Sequence, residues 1–418
     1  MSSPKSREID FAELSDGSLV EMIRDPADAG KTLLAIYRDQ SVRYAESVED
    51  QDRILVPLSP SDQDLRYVRL AQGAEPYGKL LDLEKSVADI FYECLDVEME
   101  WRILMAGYAM SSWLAEKLPV APYLAFVGPP GSGKTTAMRV LDLVCYRSLL
   151  TSDISSAAFY DVSHRIRPTV LLDETLTAGH PRELMHLLRA SSTPGFVSLR
   201  KDQARLAYGP KVFSWLELPD DAVLNSRCVI VPMHRTSRSD LKSPNDPSVL
   251  ESAEKVRMQL QQFRFEHYKS LPAPRISSDV PLSGRPLDLY RALALPFHDY
   301  QGMCYMLAGL IAQQDEFRAP MLSPAQESVL YVLYTFVHEH PNSTGTRVSA
   351  LTAVVNSDLT SRGESVLSER KMGEILTSLS LTNRTRKNTG YYLWLDRSAR
   401  ERIHATIRDY GAEDPVEN

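Results

Sequence analysis

Cysteine is scarce in this chain of 418 residues. The four present, Cys94, Cys145, Cys228 and Cys304, lie far apart, with no CxxC pair and no histidine cluster. That spacing argues against a disulfide frame or a zinc site and reads as reduced core thiols of a cytoplasmic protein. Long apolar runs are also missing, so no membrane span and no membrane partner is expected. The opening MSSPKSREIDFAELSDGS lacks the apolar core of a secretory signal. Positive charge is in deficit: 47 Lys and Arg against 55 Asp and Glu, a net charge of −8. A chain coated in positive charge to hold nucleic acid is thereby disfavoured, whereas a local basic surface is not. Neither an internal repeat nor a low-complexity tract is found.

What is there is ordinary globular material. Hydrophobic residues make up 43% and charged residues 24%, enough for a sizeable core, and the length suits two to four domains. Residues 1–30, polar and acidic, read as a flexible or partly helical lead-in. Lys31 to Val48 shows a helical pattern, followed by short extended pieces near Ile54 and Tyr67. Residues 1–80 are therefore expected to form a partly flexible N-terminal region. Leu83 to Leu118 spaces its apolar residues as two helices, stopped by Pro119 and Pro122. From Tyr123 to about Met233, strands and helices alternate, which predicts an α/β fold with a doubly wound parallel sheet. The expected divisions are 81–236 for this core with its leading helices and 237–320 for a linker and helical lid. A separate α+β segment takes 321–410, and 411–418 is a tail.

The densest information lies at Gly128-Pro129-Pro130-Gly131-Ser132-Gly133-Lys134-Thr135, a complete P-loop. Glycines let the backbone curl until several N–H groups face one phosphate chain. Lys134 is expected on the β- and γ-phosphates of ATP, and the Thr135 hydroxyl on Mg²⁺. The apolar run Tyr123 to Val127 precedes the loop as a buried strand. Thr136 to Val144 follows as a helix with its N-terminus towards the phosphates.

Further on, Thr169-Val170-Leu171-Leu172-Asp173-Glu174 reads as an apolar strand closing on two carboxylates, a Walker B pattern. Asp173 is expected to hold Mg²⁺ through water, and Glu174 to orient the attacking water. Arg227 stands just before the strand Cys228 to Val231. In this context it suggests an arginine finger acting on a neighbouring subunit's nucleotide, which implies a ring or open oligomer. Arg285 opens a helix of the lid region and is the candidate to sense the γ-phosphate.

Residues 323–410 read as three helices and a hairpin, the order of a winged helix. Thr382 to Trp394 forms that hairpin, with Arg384, Arg386 and Lys387 near its tip. Another hairpin spans 195–208 and carries Arg200, Lys201 and Arg205.

Taken in order, these elements resemble AAA+ ATPases. The carrying stretches are PYLAFVGPPGSGKTT, RPTVLLDET and LPDDAVLNSRCVIVPMHR. More closely, they resemble the helicase-like, MCM-like ATPase domains of phages, plasmids and bacterial genomic islands. GRPLDLYRALALPF is similar to the start of their lid, and RKMGEILTSLSLTNRTRKNTGYYLWLD to their C-terminal winged helix. The resemblance implies an oligomeric DNA motor, with six subunits the expected number, in which the 195–208 hairpin projects into a pore. It departs from the pattern on Val212 to Leu218, where an Asn that aligns water is usual and only Ser214 or Glu217 is polar. That departure keeps a second reading open, an ATP-switched assembly protein that recruits a partner protein and unwinds little.

Overall fold

The computed structural model describes residues 5–59, 63–173, 182–200, 203–219, 221–236, 238–271, 282–314, 324–379, 381–387 and 390–409. The chain divides into two compact units, Met1–Gln314 and Asp315–Asn418.

The first unit opens with strands, not with a helix. Strands β1 (Lys5–Ile9), β6 (Val48–Asp50) and β7 (Arg53–Pro57) form one small sheet, ordered β1-β7-β6. Strands β2 (Phe11–Glu13), β3 (Leu19–Arg24), β4 (Thr32–Arg38) and β5 (Ser41–Ala45) form an antiparallel meander. The helix expected over Lys31 to Val48 is thus a hairpin. Asp39 and Gln40 adopt φ of 47° and 62°, the two positive values of a tight type I′ connection. No glycine marks that turn, so its signal is absent from the sequence. The two sheets enclose Ile9, Leu14, Val20, Leu34, Ile36, Val48 and Leu55.

Helices α1 (Leu80–Cys94) and α2 (Met99–Ser112) lead into a five-stranded sheet. Its strands are β8 (Tyr123–Val127), β9 (Leu149–Thr151), β10 (Val170–Leu172), β13 (Lys211–Trp215) and β14 (Cys228–Pro232). They run in the order β14-β8-β13-β10-β9, every neighbouring pair parallel. The fold is therefore α/β, as the alternation predicts. These strands are apolar along nearly their whole length because helices cover both faces of a parallel sheet. The covering helices include α3 (Lys134–Val144), α4 (Ser156–Arg165), α5 (Arg182–Ala190) and the short α6 (Ala222–Asn225). A two-stranded ribbon, β11 (Val197–Arg200) and β12 (Gln203–Leu206), is inserted before β13.

A long helix α7 (Pro247–His267) is started by Asp246, whose side chain accepts from the Ser248 N–H. It packs on α1 and α3, and Arg257 Nη1 donates to Leu143 O at 2.9 Å. Helices α8 (Gly284–Leu293) and α9 (Gln301–Ala312) complete the unit. Among the described residues no helix is long and apolar enough to cross a membrane.

The second unit has helices α10 (Pro324–Glu339), α11 (Val348–Ser361), α12 (Glu369–Ser378) and α13 (Arg397–Asp409). Its sheet holds β15 (Gly345–Arg347), β16 (Arg384–Lys387) and β17 (Gly390–Trp394) in the order β15-β17-β16. Strand β15 and helix α13 had no counterpart in the sequence reading. The core gathers Leu333, Leu351, Val355, Met372, Leu376, Leu393 and Ile403 from all four helices and the sheet.

Candidate nucleotide site

In a parallel sheet all strand C-termini share one edge. The P-loop leaves the end of β8, and Asp173 follows the end of β10, with β13 between them. Thr135 Oγ1 stands 3.5 Å from Asp173 Oδ1 across that edge. The sheet thus brings a hydroxyl and a carboxylate, the hard oxygen ligands Mg²⁺ prefers, to one point.

The loop is built for close approach. At Gly128 an added Cβ would lie 2.1 Å from Met233 O, so only glycine allows β8 and the segment after β14 to run this close. Gly131 and Gly133 hold φ of 77° and 87°, and Gly133 stands at the N-cap of α3. Nothing lies within 4 Å of a Cβ placed on Gly131, so the loop's open side has room for phosphate oxygens. Lys134 is buried, with Nζ donating to Gly128 O at 2.7 Å and Pro129 O at 2.9 Å. Its ammonium is folded over the loop that would carry the phosphates. Ser132 Oγ is buried without a hydrogen-bond partner, a donor left over in the cradle. These features fit a triphosphate with a hard divalent cation between Thr135 and Asp173.

The cleft has a volume of about 530 Å³. Pro130, Gly131, Ser132, Gly133, Lys134, Thr135 and Thr136 form its phosphate end. Cys94, Leu95, Leu216, Met233 and Leu241 supply its apolar lining, with Asp96, His234 and Thr236 as further polar groups. Thr236 Oγ1 donates to Asp96 Oδ2 at 2.8 Å. Arg235 Nε reaches Pro130 O at 3.4 Å, which brings a cation to the rim. Met233, His234 and Arg235 close the stretch LPDDAVLNSRCVIVPMHR, but nothing in the sequence assigns them to the cleft. Leu95 and Asp96 come from the loop after α1, and Met233, His234, Thr236 and Leu241 from the segment after β14.

The strand between Asp173 and the P-loop carries no Asn. Ser214 is buried, its Oγ unpartnered, while Leu216 faces the cleft. Glu217 is exposed and does not line the cleft.

Arg227 sits at the opposite edge of the sheet. Its carbonyl accepts from Tyr123 N at 3.3 Å, at the start of β8, whereas the P-loop follows the end of β8. Five residues of strand put about 17 Å between them. Arg227 therefore faces away from its own P-loop. Asp221 caps α6 by accepting from Leu224 N and is held by Arg189 Nε at 2.8 Å, which sets the turn carrying Arg227. Arg227 Nη1 donates to Val223 O, and Nε is buried without a partner. Burial lowers its pKa, and the nearby charge of Arg285 lowers it further. Arg285 is thus near enough for its charge to act on Arg227, and it does not line the cleft of its own chain.

Other sequence candidates are spread out. Glu174 and Lys201 lie outside the described residues, as does the side chain of Arg200. Arg205 Nη1 is paired with Asp161 of α4. In the second unit Arg384 donates to Gly373 O at 2.7 Å and to Thr377 Oγ1 at 2.6 Å, binding β16 to α12. Arg386 and Lys387 are exposed.

No protein-family model and no curated protein matches the sequence. Among solved structures, the NrS-1 C-terminal region is 12% identical with a TM-score of 0.40, over 90% of this chain and 96% of that one. The SCCmec type IV Cch, described as an active helicase, is 10% identical with a TM-score of 0.43, over 96% of this chain and 80% of that one. A full-length MCM homolog from Methanopyrus kandleri is 11% identical with a TM-score of 0.40, over 72% and 77%. Likeness at these scores leaves the chemistry to be argued from the chain's own residues.

Proposed function

We propose that the protein is an ATP-hydrolysing, oligomeric motor of the helicase-like kind that acts on DNA. The observation carrying this is the meeting of Thr135 and Asp173 beside the P-loop, at one edge of a parallel sheet. Bound MgATP supplies the phosphoanhydride to be cleaved. Backbone N–H groups of Gly131 to Thr135 hold its phosphates, and Lys134 leaves the carbonyls of Gly128 and Pro129 to neutralise them. Thr135 and Asp173 fix the cation, and Glu174 orients water.

Arg227 faces away from its own cleft, so its charge serves a neighbouring subunit in this reading, with Arg285 near it. Such a site is complete only in an assembly, whence the oligomer. Arg200, Lys201 and Arg205 of the ribbon and the cations of the second unit, read as a winged helix, are the DNA contacts. A mobile-element origin and a cytoplasmic location accord with the sequence.

A second reading rests on Leu216. An apolar side chain faces the cleft where a water-aligning polar group is expected, which favours slow hydrolysis and an ATP-switched assembly that recruits a partner protein. Steady-state hydrolysis without nucleic acid, with single strands and with duplex decides, using Lys134→Ala as background. DNA-stimulated turnover supports the motor. Binding of ATP with turnover no higher than Lys134→Ala supports the switch.

A further inference from the structure

The three strands of the second unit read GTR, RTRK and GYYLW. They contain four cations, three aromatics and no acid. Side chains alternate across a sheet, so neighbours along β17 point to opposite faces. Leu393 and Leu395 enter the core. Tyr392 and Trp394 therefore share the outer face, half-buried, with ring centroids 5.0 Å apart and planes at 67°. Lys387 Nζ stands 3.8 Å from the Tyr392 centroid and 4.6 Å from that of Trp394. Arg347, exposed, pairs in register with Tyr392 from the other side. Thr385, opposite Tyr392, accepts from Trp394 Nε1 at 2.8 Å, which fixes the indole plane.

We propose that this outer face binds single-stranded nucleic acid, stacking bases on Tyr392 and Trp394 and pairing phosphates with Arg347 and Lys387. The assignment rests on the reading that the second unit contacts nucleic acid, and it puts that contact on the outer face of the sheet. Charge complementarity selects the occupant: an unbroken set of cations around aromatic rings suits a polyanion whose units each carry a π-face. Lys387 already occupies the ring face as a cation. A base takes that place, and the ammonium swings to the adjoining phosphate. Arg384 takes no part, because it is committed to Gly373 and Thr377 of α12.

Tryptophan fluorescence reads this directly. Trp101, Trp113 and Trp215 are buried, at 7%, 1% and 5% exposure, so Trp394 is the indole a base can reach. A short oligo(dT) is titrated into the full chain, with anisotropy of a labelled oligo(dT) as the independent measure of binding. Quenching is expected in the wild type and lost in Trp394→Phe, which still binds. Tyr392→Ala should bind about tenfold more weakly or worse. Lys387→Gln should lower the log–log salt slope by about 0.7, which tests the face should Tyr392→Ala fail to fold. Binding without quenching and indifferent to Tyr392→Ala and Lys387→Gln would overturn the assignment while leaving the DNA reading intact. Equal competition by duplex of the same length would also overturn it. No binding of either form would remove both.

Discussion

Arg264 and Glu21, 243 positions apart, meet at 2.9 Å, each with a side chain only 1% exposed. Glu21 also accepts from Arg147 and, at 2.8 Å, from the Tyr146 hydroxyl. Arg147 reaches Asp10 at 2.6 Å, and Arg264 reaches Glu116. Burial opposes ionisation of Glu116, but Arg264 more than offsets it and holds the carboxyl below its ordinary pKa. The turn between β1 and β2, strand β3, the segments after α2 and α3, and helix α7 are thus joined through one buried ionic cluster.

Removing one member of such a cluster leaves buried charge under-compensated. Glu21→Ala leaves Arg147 with Asp10 alone and Arg264 with Glu116 alone, and is expected to cost about 3–5 kcal/mol. Urea unfolding followed by far-UV circular dichroism measures this. A loss within the range of surface ion pairs would mean that the N-terminal strands are not coupled to the core.

The Thr135–Asp173 pair predicts a metal defect. Asp173→Asn should lose the gain in ATP affinity that Mg²⁺ gives the wild type and lower turnover by about 10²-fold or more. Titrating Mg²⁺ against nucleotide binding checks it. Unchanged Mg²⁺ dependence would remove Asp173 from the site.

The placement of Arg227 predicts complementation. Arg227→Ala alone should lower turnover by about 10³-fold, and Lys134→Ala should abolish it. Mixed together, the two inactive variants should regain measurable hydrolysis, because one offers an intact cleft and the other an intact arginine. No recovery in a mixture that demonstrably co-assembles would place Arg227 outside the reaction.

Lys211 predicts a pH effect. It is 1% exposed at the base of β13, donating to Ala207 O at 3.3 Å and Gly209 O at 2.8 Å, with the rings of Tyr123 and Phe159 beside it. Burial pushes its pKa down to about 7, from 10.5. Between those values the unfolded chain binds a proton that the folded chain does not, so this group makes stability rise with pH above about 7. Below about 7 both states carry the proton and its contribution is constant. Lys211→Met should remove that rise. Stability of the two proteins measured from neutral to mildly alkaline pH, before thiols and phenols titrate, gives the difference. Parallel curves would show that Lys211 stays charged.

Much of this was legible in the residues themselves. The P-loop carries its own backbone geometry, since glycines at 131 and 133 take the positive φ that other residues resist. Apolar runs closing on Asp173 or following Arg227 mark parallel strands, because strands buried on both faces need no polar alternation. Helices α1 and α2 lie close to where the apolar spacing of Leu83 to Leu118 puts them. The hairpin at Asp39 and Gln40 was hidden because Asp39 is followed not by glycine but by Gln40, which seldom takes a positive φ.

Strand order, by contrast, is a property of the packed sheet. Only the packed sheet sets Thr135 against Asp173, puts Arg227 at the edge remote from its own P-loop, and leaves Leu216 lining the cleft. Arg384, one of the wing cations by sequence, is consumed in holding β16 to α12. Asp96 reaches the cleft from a segment that no motif marks, and Arg235 reaches its rim from the end of a marked stretch in which only Arg227 stands out by sequence. The physical reason is common to all of them. Local sequence sets backbone preference over a few residues, whereas which charge meets which depends on surfaces buried between different elements, from 11 to 105 positions apart in these pairs.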